Sequence, residues 1–209
     1  MTRQRSRQIA LFVEGDTETA LPAFFHHWLD PKLEQKVGIR PVKFKGVSNY
    51  LGDLAQKVES HLTKDGADFV FGLLDLYGLP DRIDFSNAST VAEKVSTARE
   101  QIRNLIPNHL GKRFFQHFAV HEVEAWLLAY PKKFPADVQG QIGKIEKPET
   151  VDFNEPPAKF LNGILRGRYM KTVYAKKIFP YVDPQVAINK CPYLQKLATD
   201  LLAVAKRLQ

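Results

Sequence analysis

The sequence is poor in cysteine and has no long uninterrupted hydrophobic stretch. Its 209 residues include one cysteine, Cys191, which excludes an internal disulfide. No segment approaches the roughly 20 consecutive apolar residues of a membrane helix. The first residues, Met1 to Arg5, lead into a strand-like segment without the apolar region of a secretory signal. We therefore expect a cytoplasmic protein with no membrane partner.

Several sequence motifs are also missing. The chain has no phosphate-binding Walker loop and no dinucleotide-binding glycine fingerprint, so ATP hydrolysis would have to come from a partner protein. It shows no internal repeat, and Cys191 lacks the spacing of a metal ligand.

The hydrophobic content of 44% is high enough for a folded core. The net charge of +7 and the isoelectric point near 9.4 favour a polyanionic partner.

Apolar patterns predict a regular alternation of strands and helices up to about residue 130. Strands are predicted over 9–13, 39–44, 68–74 and 114–120, and helices over 16–29, 51–62, 92–105 and 124–130. Pro22 requires either a separate first turn or a kink in the first helix. Such alternation is typical of an α/β fold with a parallel sheet of about four strands and helices on both faces. Ligands of this fold bind at the carboxyl ends of the strands.

The rest of the chain differs in composition. Residues 131–157 are rich in proline and lack a clear period, so we interpret them as a linker or lid. Residues 158–209 carry apolar residues at helical intervals and predict a helical C-terminal region. The expected organisation is an α/β domain over 1–130, the linker or lid over 131–157, and the helical region over 158–209.

Acidic residues stand where the predicted strands end. Glu14 follows the first strand, Asp75 the third, and Glu122 and Glu124 the fourth, while Glu18 lies one turn beyond Glu14. A parallel sheet would bring these carboxylates to one edge. Their mutual repulsion would be offset by a divalent ion such as Mg²⁺ or Mn²⁺, which prefers oxygen ligands. Two such ions could activate a water molecule and stabilise the leaving oxygen of a phosphodiester.

Each acidic residue also has a structural interpretation. Glu18 could stabilise the positive end of its helix, and Asp75 could form an ordinary turn. Positions 122 and 124 share a face on a strand but diverge on a helix, so one of these glutamates could be solvated or structural. His121 is more often a hydrogen-bonded core residue than a ligand or a general base.

Three acidic motifs resemble the Toprim fold, which has a glutamate after the first strand and an aspartate motif after the third. They are Val13 to Glu18, Asp75 to Pro80 and His121 to Leu128. They look like an uncharacterised Toprim-like family found in prokaryotic mobile-element and phage-defence loci. The resemblance extends to segments around Pro157, Tyr169 and Cys191. It implies nuclease-like activity in phage defence or abortive infection, beside an ATPase of the overcoming-lysogenization-defect or SMC-like kind.

The chain departs from the general Toprim pattern at one position. Many members have a second aspartate two residues after the first, where this sequence has Tyr77. The departure bears on whether one or two metal ions bind. Asp81 or a glutamate of the fourth-strand motif could supply the missing ligand.

A basic segment near the C-terminus is the expected contact for nucleic-acid phosphates. It combines aromatic residues with Arg166, Arg168, Lys171 and Lys176. The alternative is a solvated helical face.

Three functions agree with these patterns. The first is a metal-dependent endonuclease acting on DNA or RNA. The second is a nucleic-acid-binding or regulatory subunit without catalysis, which Tyr77 would favour. The third, a phosphoacceptor receiver-like domain, fits least because the acidic doublet of such domains is missing after strand one. Oligomerisation is left open.

Overall fold

The computed structural model describes residues 7–79, 82–150, 156–169, 173 and 177–209. Four parallel strands form the sheet: β1 (Gln8–Val13), β2 (Gly38–Lys43), β3 (Phe69–Asp75) and β4 (Phe114–Ala119). Their order in space is β2-β1-β3-β4. All three pairings are parallel. The predicted α/β class and the four predicted strands are confirmed.

Helices connect and cover the strands. Those described are α1 (Leu21–Leu29), α2 (Val47–Thr63), α3 (Val91–Asn104), α4 (Glu124–Leu128), α5 (Ala136–Ile142), α6 (Pro157–Ile164), α7 (Pro184–Lys190) and α8 (Pro192–Arg207). Across the described residues, every helix falls short of the length and hydrophobicity of a membrane span.

The structure around Pro22 decides between a separate first turn and a kinked helix. A short 3₁₀ helix, Thr17–Ala20, precedes α1, and Pro22 occupies the second position of α1. A proline is tolerated in the first turn of a helix because the N–H it lacks would have no partner within the helix there. The first turn is therefore separate, as one of the two alternatives predicted.

Hydrophobic residues alternate along the strands and fill a core on each face of the sheet. Phe12 and Val70 point to the face covered by α2 and α3. Leu11, Val13 and Phe71 point to the opposite face, which is covered by α1, α4 and the C-terminal helices. A parallel sheet buried on both faces is held in place by this packing.

The C-terminal helices complete the second face of the sheet. The indole of Trp28 in α1 donates a hydrogen bond to Gln185 of α7 at 2.8 Å. Helix α8 packs on β4. Helix α5 lies within the predicted linker or lid and contributes Val138 and Ile142 to the same core. Whether the 131–157 stretch acts as a lid stays a prediction.

The contact of α8 with β4 predicts a pH dependence of folding stability. His117 is buried, and its Nε2 lies 3.5 Å from Asp200 of α8. Burial lowers the pKa of His117; the Asp200 charge opposes this shift, whereas the charges of Arg99 and Lys196 add to it. Below the usual histidine pKa of about 6.5 the unfolded chain therefore binds a proton that the folded chain does not. Stability should fall as the pH is lowered from 6.5, until the folded-state pKa is passed.

This prediction can be checked by urea unfolding between pH 7.5 and 5. His117→Gln should flatten the decrease in free energy of unfolding, whereas His27→Gln, at an exposed histidine of α1, should leave it as in the wild type. Equal pH profiles for wild type and His117→Gln would contradict this account.

Candidate metal centre

The carboxyl ends of β1, β3 and β4 form one rim of the sheet. Val13 at the end of β1 lies level with Leu73 of β3, and Asp75 at the end of β3 lies level with Ala119 of β4. Glu14 and the segment that follows β4 therefore flank Asp75 from its two sides. Strand order and register alone place the predicted acidic positions along this rim.

Three carboxylates meet at the β3–β4 side of the rim. Asp75, Glu122 and Glu124 each offer one oxygen, and these oxygens lie within 4.8 Å of one another. Glu124 is fully buried, Glu122 is 9% exposed, and Asp75 is half-buried. We call these three residues the carboxylate triad. Neither glutamate is a solvated surface residue.

Backbone N–H groups hold two members of the triad in place. The N–H of Val123 donates to Oδ1 of Asp75 at 3.3 Å, which ties β3 to the turn after β4. The N–H of Ala158, in the first turn of α6, donates to Oε2 of Glu122 at 2.9 Å. These two contacts fix the orientation of both carboxylates.

Tyr169 holds the third member. Its phenol donates a hydrogen bond to Oε1 of Glu124 at 3.2 Å, and the side chain is buried. Burial raises the pKa of Tyr169, and the negative charges of Glu124, Glu122 and Asp75 raise it further. The phenol therefore stays protonated and donates to the carboxylate. This contact brings the segment after α6 to the triad.

Helix α4 is anchored in the core, which fixes Glu124 in its first turn. Trp126 is fully buried, and its indole donates to Oε1 of Glu149 at 3.3 Å. Glu149 also accepts from the N–H groups of Tyr193 and Leu194 at the start of α8. Burial raises the pKa of Glu149 to about 7, against the effect of these three donors. Glu149 thus links α4 to the C-terminal helix.

Glu14 and Glu18 lie beside the triad and are not among its three members. The carboxylate of Glu14 is directed towards the turn after Asp75, because a Cβ built on Gly78 would lie 3.9 Å from its Oε2. Glu18 is 5% exposed, and its Oε2 accepts from the N–H of Gly15 at 3.2 Å. A metal-binding role for these two residues stays a prediction.

The position that departs from the Toprim pattern is exposed. Tyr77 lies in the turn after Asp75 and is 45% exposed, and its backbone N–H donates to the carbonyl oxygen of His121. His121 is buried. Asp81, the alternative ligand, lies outside the described residues.

Two of the four predicted phosphate-binding residues can be placed. Arg166 and Arg168 are exposed and lie just before Tyr169. The chain turns after α6 through Arg166 (φ 53°) and Gly167 (φ 75°), a left-handed conformation that favours glycine. This turn leads from α6 back to Tyr169. Lys171 and Lys176 lie outside the described residues.

Three residues near the rim were not predicted as site residues. Lys43 and Lys45 received no role, and Tyr169 was expected only as an aromatic member of the basic segment. Lys43 ends β2 and forms an ion pair with Asp16 at 2.8 Å, and Lys45 is exposed two residues later. The position of Lys43 and Lys45 at the carboxyl end of a parallel strand could have identified them as rim residues from the sequence. The contact between Tyr169 and Glu124 spans 45 residues and leaves no local pattern.

The donor set of the triad fits a hard divalent cation. Three carboxylates in one place, two of them buried, are costly unless positive charge compensates them. Oxygen ligands of this kind suit Mg²⁺ or Mn²⁺ better than softer metals, which favour sulfur or nitrogen. The residues present could therefore hold such an ion.

The fold and the triad define an α/β protein with an acidic candidate metal site at the carboxyl ends of its strands. Residues 13–202 match the family described as a domain of unknown function, DUF4276, and the chain belongs to that family. No curated protein matches the chain. A solved structure with a similar fold is the C-terminal region of the Burkholderia pseudomallei OLD protein. It is 16% identical with a TM-score of 0.51, over 96% of this chain and 98% of that one.

Proposed function

We propose that this protein is a metal-dependent nuclease that hydrolyses phosphodiester bonds of DNA or RNA. The observation that carries the proposal is the carboxylate triad, with one oxygen of each residue within 4.8 Å of the others. Its place at the carboxyl ends of parallel strands is where α/β proteins bind ligands. The resemblance of the acidic motifs to Toprim nucleases supports the same chemistry.

Asp75, Glu122 and Glu124 would hold Mg²⁺ or Mn²⁺. The bound ion would supply charge that activates a water molecule and stabilises the leaving oxygen of the phosphodiester. The N–H groups of Val123 and Ala158 and the phenol of Tyr169 would keep the three carboxylates oriented through the contacts described above. Glu14 and Glu18, on the β1 side of the rim, would bind a second ion or orient the attacking water.

Basic residues on two sides of the rim would bind the nucleic-acid backbone. Arg166 and Arg168 precede Tyr169, and Lys45 follows β2 at the other end of the rim. Lys171 and Lys176 extend the basic segment in the sequence. Contacts of this kind to phosphates position a strand without reading its bases.

A role in phage defence is part of the proposal. It is supported by the resemblance of the motifs to proteins of such loci. An ATPase of the overcoming-lysogenization-defect or SMC-like kind would be the partner, as the same resemblance implies. Any ATP hydrolysis would come from that partner, because the sequence has no Walker loop.

One observation favours a second candidate function. Tyr77 occupies the position where many Toprim proteins have a further aspartate, and it is 45% exposed. A chain with fewer ligands could bind nucleic acid or regulate a partner without cleaving. Salt-sensitive binding without metal-dependent turnover would identify this function.

Incubation of the full chain with supercoiled plasmid and with single-stranded RNA tests the proposal. We expect cleavage of at least one substrate in Mg²⁺ or Mn²⁺, and none when the ion is removed by EDTA. Cleavage that persists in EDTA would contradict metal dependence. Tight binding of both substrates without cleavage in either ion would favour the second candidate.

A further inference from the structure

A cavity of about 260 Å³ lies on the outer edge of β4, between α3 and α8. It is lined by strand residues from Phe114 to His117 and by charged side chains of the two helices. The carboxylate triad lies at another place, beyond the carboxyl end of the same strand. Nothing in the proposed nuclease reaction uses this cavity.

Positive charge dominates the cavity. Arg99 and Arg103 of α3 and Lys196 of α8 line it, together with one carboxylate, Asp200. Asp200 pairs with Lys196 at 2.7 Å, which leaves the charge of the two arginines to be compensated. Within the described part of the chain, neither guanidinium forms an ion pair with a carboxylate.

The arginines also cover the open edge of the sheet, but this role uses little of their hydrogen-bonding capacity. Nε of Arg99 donates to the carbonyl oxygen of Gln116 at 3.2 Å. One terminal nitrogen of Arg103 donates to the carbonyl oxygen of Gly111. Since a guanidinium has five N–H donors in a planar fork, both groups keep donors that suit the oxygens of a phosphate.

A buried imidazole supplies a second, independent observation. His117 is 3% exposed and lines the cavity. Its Nε2 is buried and makes no hydrogen bond within the described residues; Asp200 is 3.5 Å away. A buried polar atom without a hydrogen bond is uncommon in folded proteins and calls for a ligand or a water molecule.

We propose that this cavity binds a phosphate group of a nucleotide or of a nucleic-acid strand. Arg99, Arg103 and Lys196 would contact the phosphate oxygens, and Nε2 of His117 would complete the polar lining. The apolar part of the lining, Phe114 and Phe115, would accommodate the sugar or the base. The volume suits a phosphate with one attached nucleoside, not a folded nucleic acid.

Isothermal titration calorimetry of the full chain in EDTA tests this site without metal-dependent binding or cleavage at the nuclease centre, and the variants below distinguish the cavity from the basic residues at the rim. The probes are adenosine 5′-monophosphate and a short oligothymidylate. We expect saturable binding of at least one probe. Binding of the mononucleotide would identify a free nucleotide as the source of the phosphate, and binding of the oligonucleotide alone would identify a strand.

Charge variants then assign the binding to the cavity. Lys196→Glu and Arg99→Gln should each weaken the affinity by about tenfold, as loss of a charge-assisted phosphate contact predicts. Lys206→Glu, an exposed lysine on the same helix with the same change in net charge, should alter it less than about twofold. Thermal unfolding of each variant verifies that it is folded.

Two results would overturn the proposal. One is the absence of saturable binding of both probes to the wild type. The other is a failure of the variants to assign binding to the cavity. Such a failure would be equal affinity in wild type, Lys196→Glu and Arg99→Gln, or a loss of affinity in Lys206→Glu as large as that in Lys196→Glu. Since Asp75→Asn leaves the cavity intact, it should bind the probes as the wild type does, whether or not the protein cleaves nucleic acid.

Discussion

Asp75→Asn is expected to lower the rate of metal-dependent phosphodiester cleavage by about 1,000-fold, because a metal site supplies several kcal/mol of transition-state stabilisation. The substitution removes one negative ligand and keeps the shape of the side chain. Oδ1 of the asparagine can still accept the hydrogen bond from the N–H of Val123. Glu124→Gln should have an effect of the same order. The measurement is initial-rate plasmid or RNA cleavage in Mg²⁺.

The melting temperature of Asp75→Asn distinguishes a functional role of Asp75 from a structural one. Without metal, the three carboxylates of the triad repel one another, so removing one charge should leave the melting temperature in EDTA unchanged or higher. Asp53→Asn, at an exposed position of α2, is the matched control and should change neither activity nor stability. Lost activity together with a much lower melting temperature would indicate a structural role, and unchanged activity would exclude the site.

Gly72→Ala should lower the free energy of unfolding by about 3 kcal/mol, because overpacking a core and breaking a buried hydrogen bond each cost this order of energy. Gly72 lies in β3, between β1 and β4. A Cβ at this position would overlap the phenol oxygen of Tyr50 and the amide oxygen of Gln116. These two atoms form a buried hydrogen bond of 2.7 Å, which the methyl group would displace.

Three further variants, Gly52→Ala, Tyr50→Phe and Tyr50→Phe combined with Gly72→Ala, make this prediction specific. Gly52→Ala changes a glycine within α2 that has open space around it, and it should stabilise the protein by about 0.5–1 kcal/mol. Adding Tyr50→Phe to Gly72→Ala should cost less than the two single changes together, because the overlapping oxygen is removed. Urea unfolding at pH 7.5 measures the wild type, the three single variants and the double variant. A neutral Gly72→Ala would show that the site relaxes without cost.

The sequence was sufficient for the sheet and for part of the rim. A strongly apolar segment such as the one around Phe71 is typical of a strand buried on both faces of a sheet. A parallel sheet then places the residues after each strand at the same edge. The prediction that Asp75 lies near Glu122 and Glu124 followed from that rule. The same rule placed Glu14 and Glu18 at the rim without telling whether they reach the same ion.

The geometry of Glu122 and Glu124 could not be settled from spacing. Residues two apart share a face on a strand and diverge on a helix, whereas here one precedes α4 and the other lies in its first turn. The turn at the start of α4 brings both carboxylates to Asp75. Trp126 of α4 is held in the core by a hydrogen bond to Glu149, a tertiary contact that residue spacing does not reveal.

Contacts between distant segments account for most of the remaining features that the sequence did not predict. Tyr169 reaches Glu124 from beyond α6, and Glu149 joins Trp126 to the start of α8. Neither partner is marked by a local pattern. The short helix α5 lies in a proline-rich stretch that showed no clear period, because seven residues include too few apolar positions for a helical repeat.

Anomalous diffraction tests most directly whether the carboxylate triad binds a divalent metal ion. Crystals of the full chain are grown with Mn²⁺, and data are collected at an energy where manganese scatters anomalously. We expect an anomalous peak bound by oxygens of Asp75, Glu122 and Glu124. A second peak near Glu14 and Glu18 would indicate two ions, and a single peak would indicate one. Absence of any peak at the triad, with Mn²⁺ bound elsewhere or not at all, would contradict the account.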